Sequence, residues 1–532
     1  MGEDIKPNIQ AVDHIVPLYA RVNARYFLKS CNASGCSESA SVHISERLSD
    51  MTASIGYLKG SSVAYISSVS LSANGNTLAV GAMRESSDAT GINSDPDNDN
   101  AKYSGAVYVF TRNETGWSQQ AYIKASNTGA GDQFGYSVSL SANGNTLAVG
   151  AIGESSDAKG INSDPDNDNA KYSGAAYVFI RTETVWSQQA YIKASNTDPG
   201  DNFGNAVSLS ADGNALAVSA QYERSKVNGI NGENAQSNNE ADDYAGAVYV
   251  FTRTDRVWVQ EAYIKASNAD YDKDNGGNMF GTSISLSADG KTLAVSDDLE
   301  HSDTRGINGN QRNNLGKGSG AVYVFTHTDL GWEQEAYIKA SNADAFDYFG
   351  NTVSLSANGN TLAVGASYVR STEKDLNEGK YDYQLKRDEP NGAVYVFTRA
   401  GTDWSEQAYI KGIKKGNGNM NKSFNFGDSV SLSADGKTLA VVATYDMGQS
   451  IGINGSGGNT NNGQYYSGAV YVFTHTGADW LQKAYIKASN QDPAGQFRLS
   501  QLGGSISLSA DGNTLAASVW EITEKSNAVY VY

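Results

Sequence analysis

Two identical hexapeptides, Asp95-Pro96-Asp97-Asn98-Asp99-Asn100 and Asp164-Pro165-Asp166-Asn167-Asp168-Asn169, place a carboxylate at every second position. Oxygen donors at that spacing are what a hard divalent cation such as calcium collects from a loop. A helix-loop-helix calcium loop, however, turns on a glycine where these runs hold Asn100 or Asn169, and it closes on a bidentate glutamate where they hold Ala106 or Ala175. The runs are therefore not that loop. Two readings stand: a weaker Ca2+ site, or carboxylates that decorate solvated turns. A third run, Asp270, Asp272 and Asp274 followed by Asn275 and Gly276, carries the same alternatives.

A second chemistry is polar recognition. The tripeptide Gly-Ile-Asn recurs in loops that otherwise differ, ending at Asn93, Asn162, Asn231, Asn308 and Asn454. The asparagine amide offers both a donor and an acceptor to sugar hydroxyls, which makes these five positions candidate ligand contacts. The alternative has the isoleucine tucked against the scaffold while glycine and asparagine turn the chain. Tyrosines near the same loops, Tyr103, Tyr172 and Tyr244 together with Tyr465 and Tyr466, are candidate stacking platforms for sugar rings, or ordinary wall residues. A lysine also recurs after Tyr-Ile or Tyr-Leu, at Lys59, Lys124, Lys193, Lys265, Lys339, Lys411 and Lys487; the expectation is a structural tie, with Asp132, Asp201 and Asp347 as candidate partners.

Catalytic signals are thin. The histidines His14, His43, His301, His327 and His475 are scattered, and no nucleophile elbow, zinc spacing or phosphate-binding glycine loop is present. The 58 acidic residues against 40 basic ones give a net charge of −18, which argues against nucleic acid and anionic membranes as partners. No apolar run approaches the roughly 18 residues of a membrane span.

These residues need a scaffold, and the repeat names it. An alternating Ser/Val/Leu strand, an Ala-Asn-Gly or Ala-Asp-Gly turn and a second apolar strand return seven times, with Leu71, Leu140, Leu209, Leu286, Leu355, Leu432 and Leu508 equivalent. In the first unit Ser68–Ser72 alternates, Asn74-Gly75 turns the chain, Thr77–Val80 returns, and Gly105–Phe110 and Trp117–Lys124 supply two more strands. Seven four-stranded units with a period of about 70 residues predict an all-β, seven-bladed propeller. Tyr57-Leu58-Lys59-Gly60 matches the fourth-strand phrase but precedes the first unit, while the chain stops on a third strand at Ala528–Tyr532. Residues near 52 to 60 are thus expected to complete the seventh blade and remove two open edges. The loops after strands two and four are long and fall on one face, leaving the other plain; a ligand is expected on the decorated face.

Residues 51–532 form this ring, and residues 1–50 read as a separate segment. There, two strands flank a turn between Cys31 and Cys36, for which a cross-hairpin disulfide is expected, two thiols being the alternative. The segment resembles the closing hairpin of a fibronectin type III domain, cut short. The start, Met1-Gly2-Glu3-Asp4, lacks the basic and apolar regions of a signal peptide, so the chain is read as a piece of a longer secreted or cell-surface protein.

The repeat resembles the FG-GAP family, the seven-bladed propeller of integrin α-chains. Phe134-Gly135, Phe203-Gly204, Phe280-Gly281, Phe349-Gly350 and Phe426-Gly427 give the FG element; Gly81-Ala82, Gly150-Ala151 and Gly365-Ala366 begin the GAP element. The resemblance implies cation loops between the FG and GAP strands, but that connection has shrunk here to a turn with at most one carboxylate, such as Asp212, Asp289, Asp435 or Asp511. The chain is read as a non-enzymatic binding or adhesion module recognising a glycan or an extracellular or cell-surface protein, with a monomer favoured and the oligomeric state left open. A polysaccharide-active enzyme or accessory domain, and a structural spacer, are the alternatives.

Overall fold

The computed structural model describes residues 65–532 apart from 115, 226, 233–243, 270–276, 371–390, 413–424, 447, 449–451, 455–466, 478, 489–499 and 522–526, together with the backbone of short strands before residue 60. Among the described residues every regular element is a strand. Seven sheets form the blades; in blades one to five the strands run inner to outer in chain order, and in blade six the short strand Gly452–Ile453 adds outside the fourth strand. Blade two, for example, comprises Phe134–Leu140, Thr146–Ala151, Ala175–Thr182 and Val185–Ile192. Blade seven takes its outer strand from Gly56–Lys59, with Tyr57 opposite Tyr530, so the ring closes on its N-terminal strand as the repeat requires. Near the start, Lys29–Asn32 pairs with Gly35–Glu38, which sets Cys31 and Cys36 at facing register positions.

The third strands are buried on both faces: Ala175, Ala176, Tyr177, Val178 and Phe179 have no exposed surface. Such strands lie between two neighbouring blades, which explains their unbroken apolar composition. Each apolar cluster spans two blades, as when Val107 and Ile123 of blade one pack with Phe134, Tyr177 and Phe179 of blade two. Phe134, the aromatic of an FG element, meets Tyr177 and Phe179 edge-to-face at centroid distances of 5.2 and 6.0 Å, an arrangement favoured by ring quadrupoles.

Two closed rings of hydrogen bonds surround the axis. In one, a serine hydroxyl on the inner strand of each blade accepts the backbone N–H of the next: Ser70 from Leu140, Ser139 from Leu209, Ser208 from Leu286, Ser285 from Leu355, Ser354 from Leu432, Ser431 from Leu508 and Ser507 from Leu71, each at 3.0 Å. Serine is thus chosen there for a donor that the crowded inner edge would otherwise leave unpaired, as well as for its size. In the other ring the alanine of each hairpin turn bonds backbone to backbone, Ala73 to Ala142, Ala211, Ala288, Ala357, Ala434 and Ala510 in succession, and Ala510 donates back to Ala73 at 2.9 Å.

The GAP-element glycines are steric necessities. A Cβ on Gly150 would lie 2.0 Å from the carbonyl oxygen of Gly204 in the next blade, and one on Gly81 would lie 2.0 Å from that of Gly135. Where the repeat has Ser219 or Ser296 at this place, the following inner strand is short, Ile284–Leu286 or Thr352–Leu355, against the seven residues of Phe134–Leu140 and Phe203–Leu209. A filled place does not by itself shorten the next strand, since Val442 precedes the nine-residue Ser500–Leu508 and Ser518 the six-residue Ile66–Leu71.

Candidate functional site

The recurring lysine is buried, with no exposed surface at Lys124, Lys193, Lys265, Lys339 or Lys487. Its partner is not among Asp132, Asp201 and Asp347. It is an acid of the same blade, three residues past strand two: Glu85 at 2.7 Å, Glu154 at 2.6 Å, Glu300 at 2.6 Å and, for Lys265, Glu223 at 2.5 Å. Asp446 serves Lys487 at 3.0 Å. The expectation of a tie to a loop acid therefore holds while the named partners do not. Lys193 Nζ also donates to Ser173 Oγ at 2.7 Å, and burial still pulls the ammonium below its usual range. Although strand four lies outermost, the long loop after strand two folds back over the lysine and buries it.

This network crosses between blades. Asn127, in the linker leaving blade one, donates its Nδ2 to Glu154 at 3.1 Å and accepts Tyr177 OH at 2.7 Å, both in blade two. Asn196 does the same for Glu223 and Tyr249, and Asn268 for Glu300 and Tyr323. Blade six departs from the pattern: Tyr471 and Tyr485 donate directly to Asp446. Burial pushes that carboxyl up, but the Lys487 charge and these hydrogen bonds outweigh it and hold Asp446 below its usual range.

Asp132, Asp201 and Asp347 sit in the blade linkers, accepting N–H groups of Gly129, Asp198 and Asp344. Burial pushes them up to about 7, 8 and 7. Blade four carries a further acid, Asp297, where five other blades have Ala82, Ala151, Ala220, Ala366 and Ala443. It is fully buried, its Oδ1 accepts the N–H of Met279, and desolvation with the nearby Glu300 charge raises it well above the usual carboxylate range.

Among the described residues the loops after strands two and four meet on one face, as where Gly91 accepts the N–H of Lys124 and donates its own to the carbonyl of Ala125. Within them the Gly-Ile-Asn tripeptide forms a short fifth edge on the outer strand: Ile92, Ile161, Ile230 and Ile307 bridge to Ile123, Ile192, Ile264 and Ile338, and Gly452–Ile453 registers as a strand. Each asparagine adopts a left-handed backbone, φ 57° at Asn93. Its N–H donates to a tyrosine carbonyl and its Oδ1 accepts that tyrosine's N–H, at 2.7 and 2.9 Å for Asn93 with Tyr122. Asn162, Asn231, Asn308 and Asn454 repeat the clamp on Tyr191, Tyr263, Tyr337 and Tyr485.

The aspartate runs are laced by their own turns. Asp95 Oδ1 accepts the N–H of Asp97, and Asn98 Oδ1 accepts those of Asp88 and Asn100; Asp164 and Asn167 do the same in blade two. The carboxylates of Asp97, Asp99, Asp166 and Asp168 face solvent. Among the described residues no three His, Cys, Asp or Glu side chains come together as a metal ion would require. Asp270, Asp272 and Asp274 lie outside the described residues.

Tyr103, Tyr172 and Tyr244 are exposed on this face, at 43%, 56% and 40%, as are Phe346, Tyr368 and Tyr445. Tyr103 and Tyr172 have φ of 59° and 57°, a region that bulky residues avoid. In blade four the same backbone place, donated to by the following linker in the same way, is held by Gly318 at φ 60°. Between blades one and two the loops also leave a cavity of about 340 Å³, lined by Thr90, Asn127, Thr128, Asp132, Glu154 and the Pro165–Asp168 stretch.

Three stretches, residues 117–179, 186–251 and 332–397, match the FG-GAP repeat family model. The chain thus carries FG-GAP repeats within its seven-bladed ring. No curated protein matches it. Among solved structures it is similar to the Myceliophteria thermophila Cps50 (Swd1) beta-propeller domain, at 10% identity and a TM-score of 0.44, over 90% of this chain and 99% of that one. No described helix is long and apolar enough to cross a membrane.

Proposed function

We propose that this FG-GAP-repeat propeller is a non-enzymatic binding module of a secreted or cell-surface protein, and that it engages a glycan through the decorated face. The observation that carries the reading is the pair Tyr103 and Tyr172. A non-glycine residue in left-handed backbone costs on the order of 1 kcal/mol or more. Gly318 meets the same backbone demand without that cost. Two half-exposed aromatic rings in strained backbone, on the face where the loops are long, suit stacking on a ligand ring, with Lys102 Nζ already 4.9 Å from the Tyr103 ring centre.

The test is a double substitution, Y103G/Y172G, assayed on an array of glycans and extracellular-matrix proteins with calcium or a chelator. The variant should be at least as stable as the parent and should lose its array signal tenfold or more. Unchanged binding by the variant refutes the tyrosine platform. Conversion of a bound saccharide into product would identify an enzyme, and an empty array a spacer. Signal abolished by the chelator would make calcium part of the site.

A further inference from the structure

Three blade junctions carry one buried constellation that ligand binding on the decorated face does not use. Between blades one and two, Lys193 Nζ and Asn127 Nδ2 hold the two oxygens of a single carboxylate, Glu154, at 2.6 and 3.1 Å. Tyr177 OH donates to Asn127 Oδ1 at 2.7 Å. The next junction repeats this with Lys265, Asn196, Glu223 and Tyr249, the carboxylate contacts being 2.5 and 3.0 Å. The one after has Lys339, Asn268, Glu300 and Tyr323, at 2.6 and 3.0 Å. These lysines have no exposed surface and the glutamates at most 2%.

An amine, a carboxamide and an acid that touches both are the reactants and the proton carrier of an amide exchange. The geometry points to an intramolecular isopeptide bond at each of these three junctions, lysine Nζ joined to asparagine Cγ, tying the linker that leaves one blade covalently to the outer strand of the next. The ion pair described above is its reactant state. At the first junction Glu154 takes a proton from the Lys193 ammonium, and the freed electron pair forms the bond from Nζ to Asn127 Cγ. Tyr177 OH donates to the carbonyl oxygen as negative charge develops there. Glu154 then passes its proton to Nδ2 and receives one from the new amide nitrogen; the Cγ–Nδ2 bond breaks and ammonia leaves. Nothing is oxidised or reduced, and no reactant outside the chain is needed.

The surroundings favour this step. Burial pulls Lys193, Lys265 and Lys339 below the usual ammonium range, against the pull of their glutamates, which eases loss of the first proton. A buried ion pair is held at a desolvation cost, and a neutral amide beside a protonated carboxyl removes it. Other blades lack one reactant each. Blade one keeps Glu85 and Lys124 but has Ser62 in the asparagine's place. Blade five keeps Asn342 and Tyr395 but has Val369 in the acid's place. Blade six keeps Asp446 and Lys487, with Lys414 in the asparagine's place.

The test is the mass of the intact folded chain after reduction and denaturation, followed by peptide mapping. The expected result is a mass below that of the sequence by one ammonia per bond, with peptides linked through 127 and 193, 196 and 265, and 268 and 339. E154Q/E223Q/E300Q should show the full mass of its sequence. So should N127A/N196A/N268A, which removes the carboxamides while keeping the ion pairs. The full mass in the folded parent chain overturns the proposal, whether or not the variants fold. A loss that maps instead to succinimides at Asn74-Gly75, Asn143-Gly144 or Asn358-Gly359, or that persists in either variant, overturns it too. A junction whose peptides come out unlinked refutes the bond at that junction.

Discussion

Replacing Gly150 by alanine isolates one steric event. The new methyl group would sit 2.0 Å from Gly204 O and 2.4 Å from Ser137 Oγ. The nearer atom is backbone, so blade three must retreat by more than 1 Å to reach ordinary contact. The retreat breaks the Ser137 Oγ–Gly204 O hydrogen bond of 2.8 Å and strains the pairing of Phe203 with Ala220. One or two hydrogen bonds at about 1 kcal/mol each and overpacking of about 1–3 kcal/mol give a loss of roughly 2–5 kcal/mol. After Ser219 and Ser296 the next inner strand begins later, although Val442 precedes a full-length one; in G150A it is the clash of the added methyl with Gly204 O that displaces the start of the next strand. Hydrogen exchange should therefore quicken at the amides of residues 203–207 in G150A and stay slow at 215–220, with a lower thermal midpoint. In S219G, by contrast, the midpoint should fall by no more than the single Ser219–Ala206 bond allows. Unchanged exchange at 203–207 together with an unchanged midpoint in G150A would refute the argument that the GAP glycine sets blade spacing.

Two further outcomes follow from the buried charges. Asp132, Asp201 and Asp347 have folded pKa values of about 7 to 8, above the unfolded value. Their protonated forms favour the folded state, so the stability they contribute is complete below about pH 4 and is lost as pH rises through 7 to 8, on the order of 4 kcal/mol for each group. Asp297 acts in the same direction; D132N/D201N/D347N should flatten the decline of the urea midpoint between pH 5 and pH 8, and an equally steep decline in the variant would count against these groups. K193M leaves Glu154 buried without its cation and should cost about 3–5 kcal/mol, whereas K193M/E154M should recover most of that loss; a double variant as unstable as the single one would show that the pair is not the unit of stability.

The ring was legible because its signals are local. Alternation, Asn-Gly turns and a repeated phrase mark strands by short-range rules, and the displaced Tyr57-Leu58-Lys59 phrase gave the closure. The partners of the lysines were not legible. Glu85 and Lys124 are 39 residues apart, and Asp132 is nearer in sequence; only the fold-back of the loop over the outer strand decides between them. A signal was nonetheless present, since a glutamate stands three residues after the end of strand two in blades one to four, in register with the lysine repeat. The strain at Tyr103 and Tyr172 was likewise hidden, because a left-handed backbone at a tyrosine has no sequence mark except the glycine that replaces it in blade four.

Blades one and two have nearly the same loop, yet the cavity belongs to the junction between them and to neither blade alone. Its walls are the linker leaving blade one and the aspartate run of blade two. The linker leaving blade two has Asn196 and Asp201 in equivalent places, but blade three opposes it with a loop that lacks the Asp-Pro-Asp run. The same wall therefore cannot recur at the next junction. The ties that hold neighbouring blades together, serine hydroxyls, turn alanines and linker asparagines, use the inner edge, the plain face and the linkers. They place no demand on the rim positions of the long loops. Asp166 and Asp168 are thus free of structural duty, and D166N/D168N should shift the thermal midpoint by an amount equivalent to less than about 0.5 kcal/mol, as surface changes do. A large loss of stability in that variant would mean that the rim carboxylates support the blade, and the separation between scaffold and recognition argued from these contacts would fail.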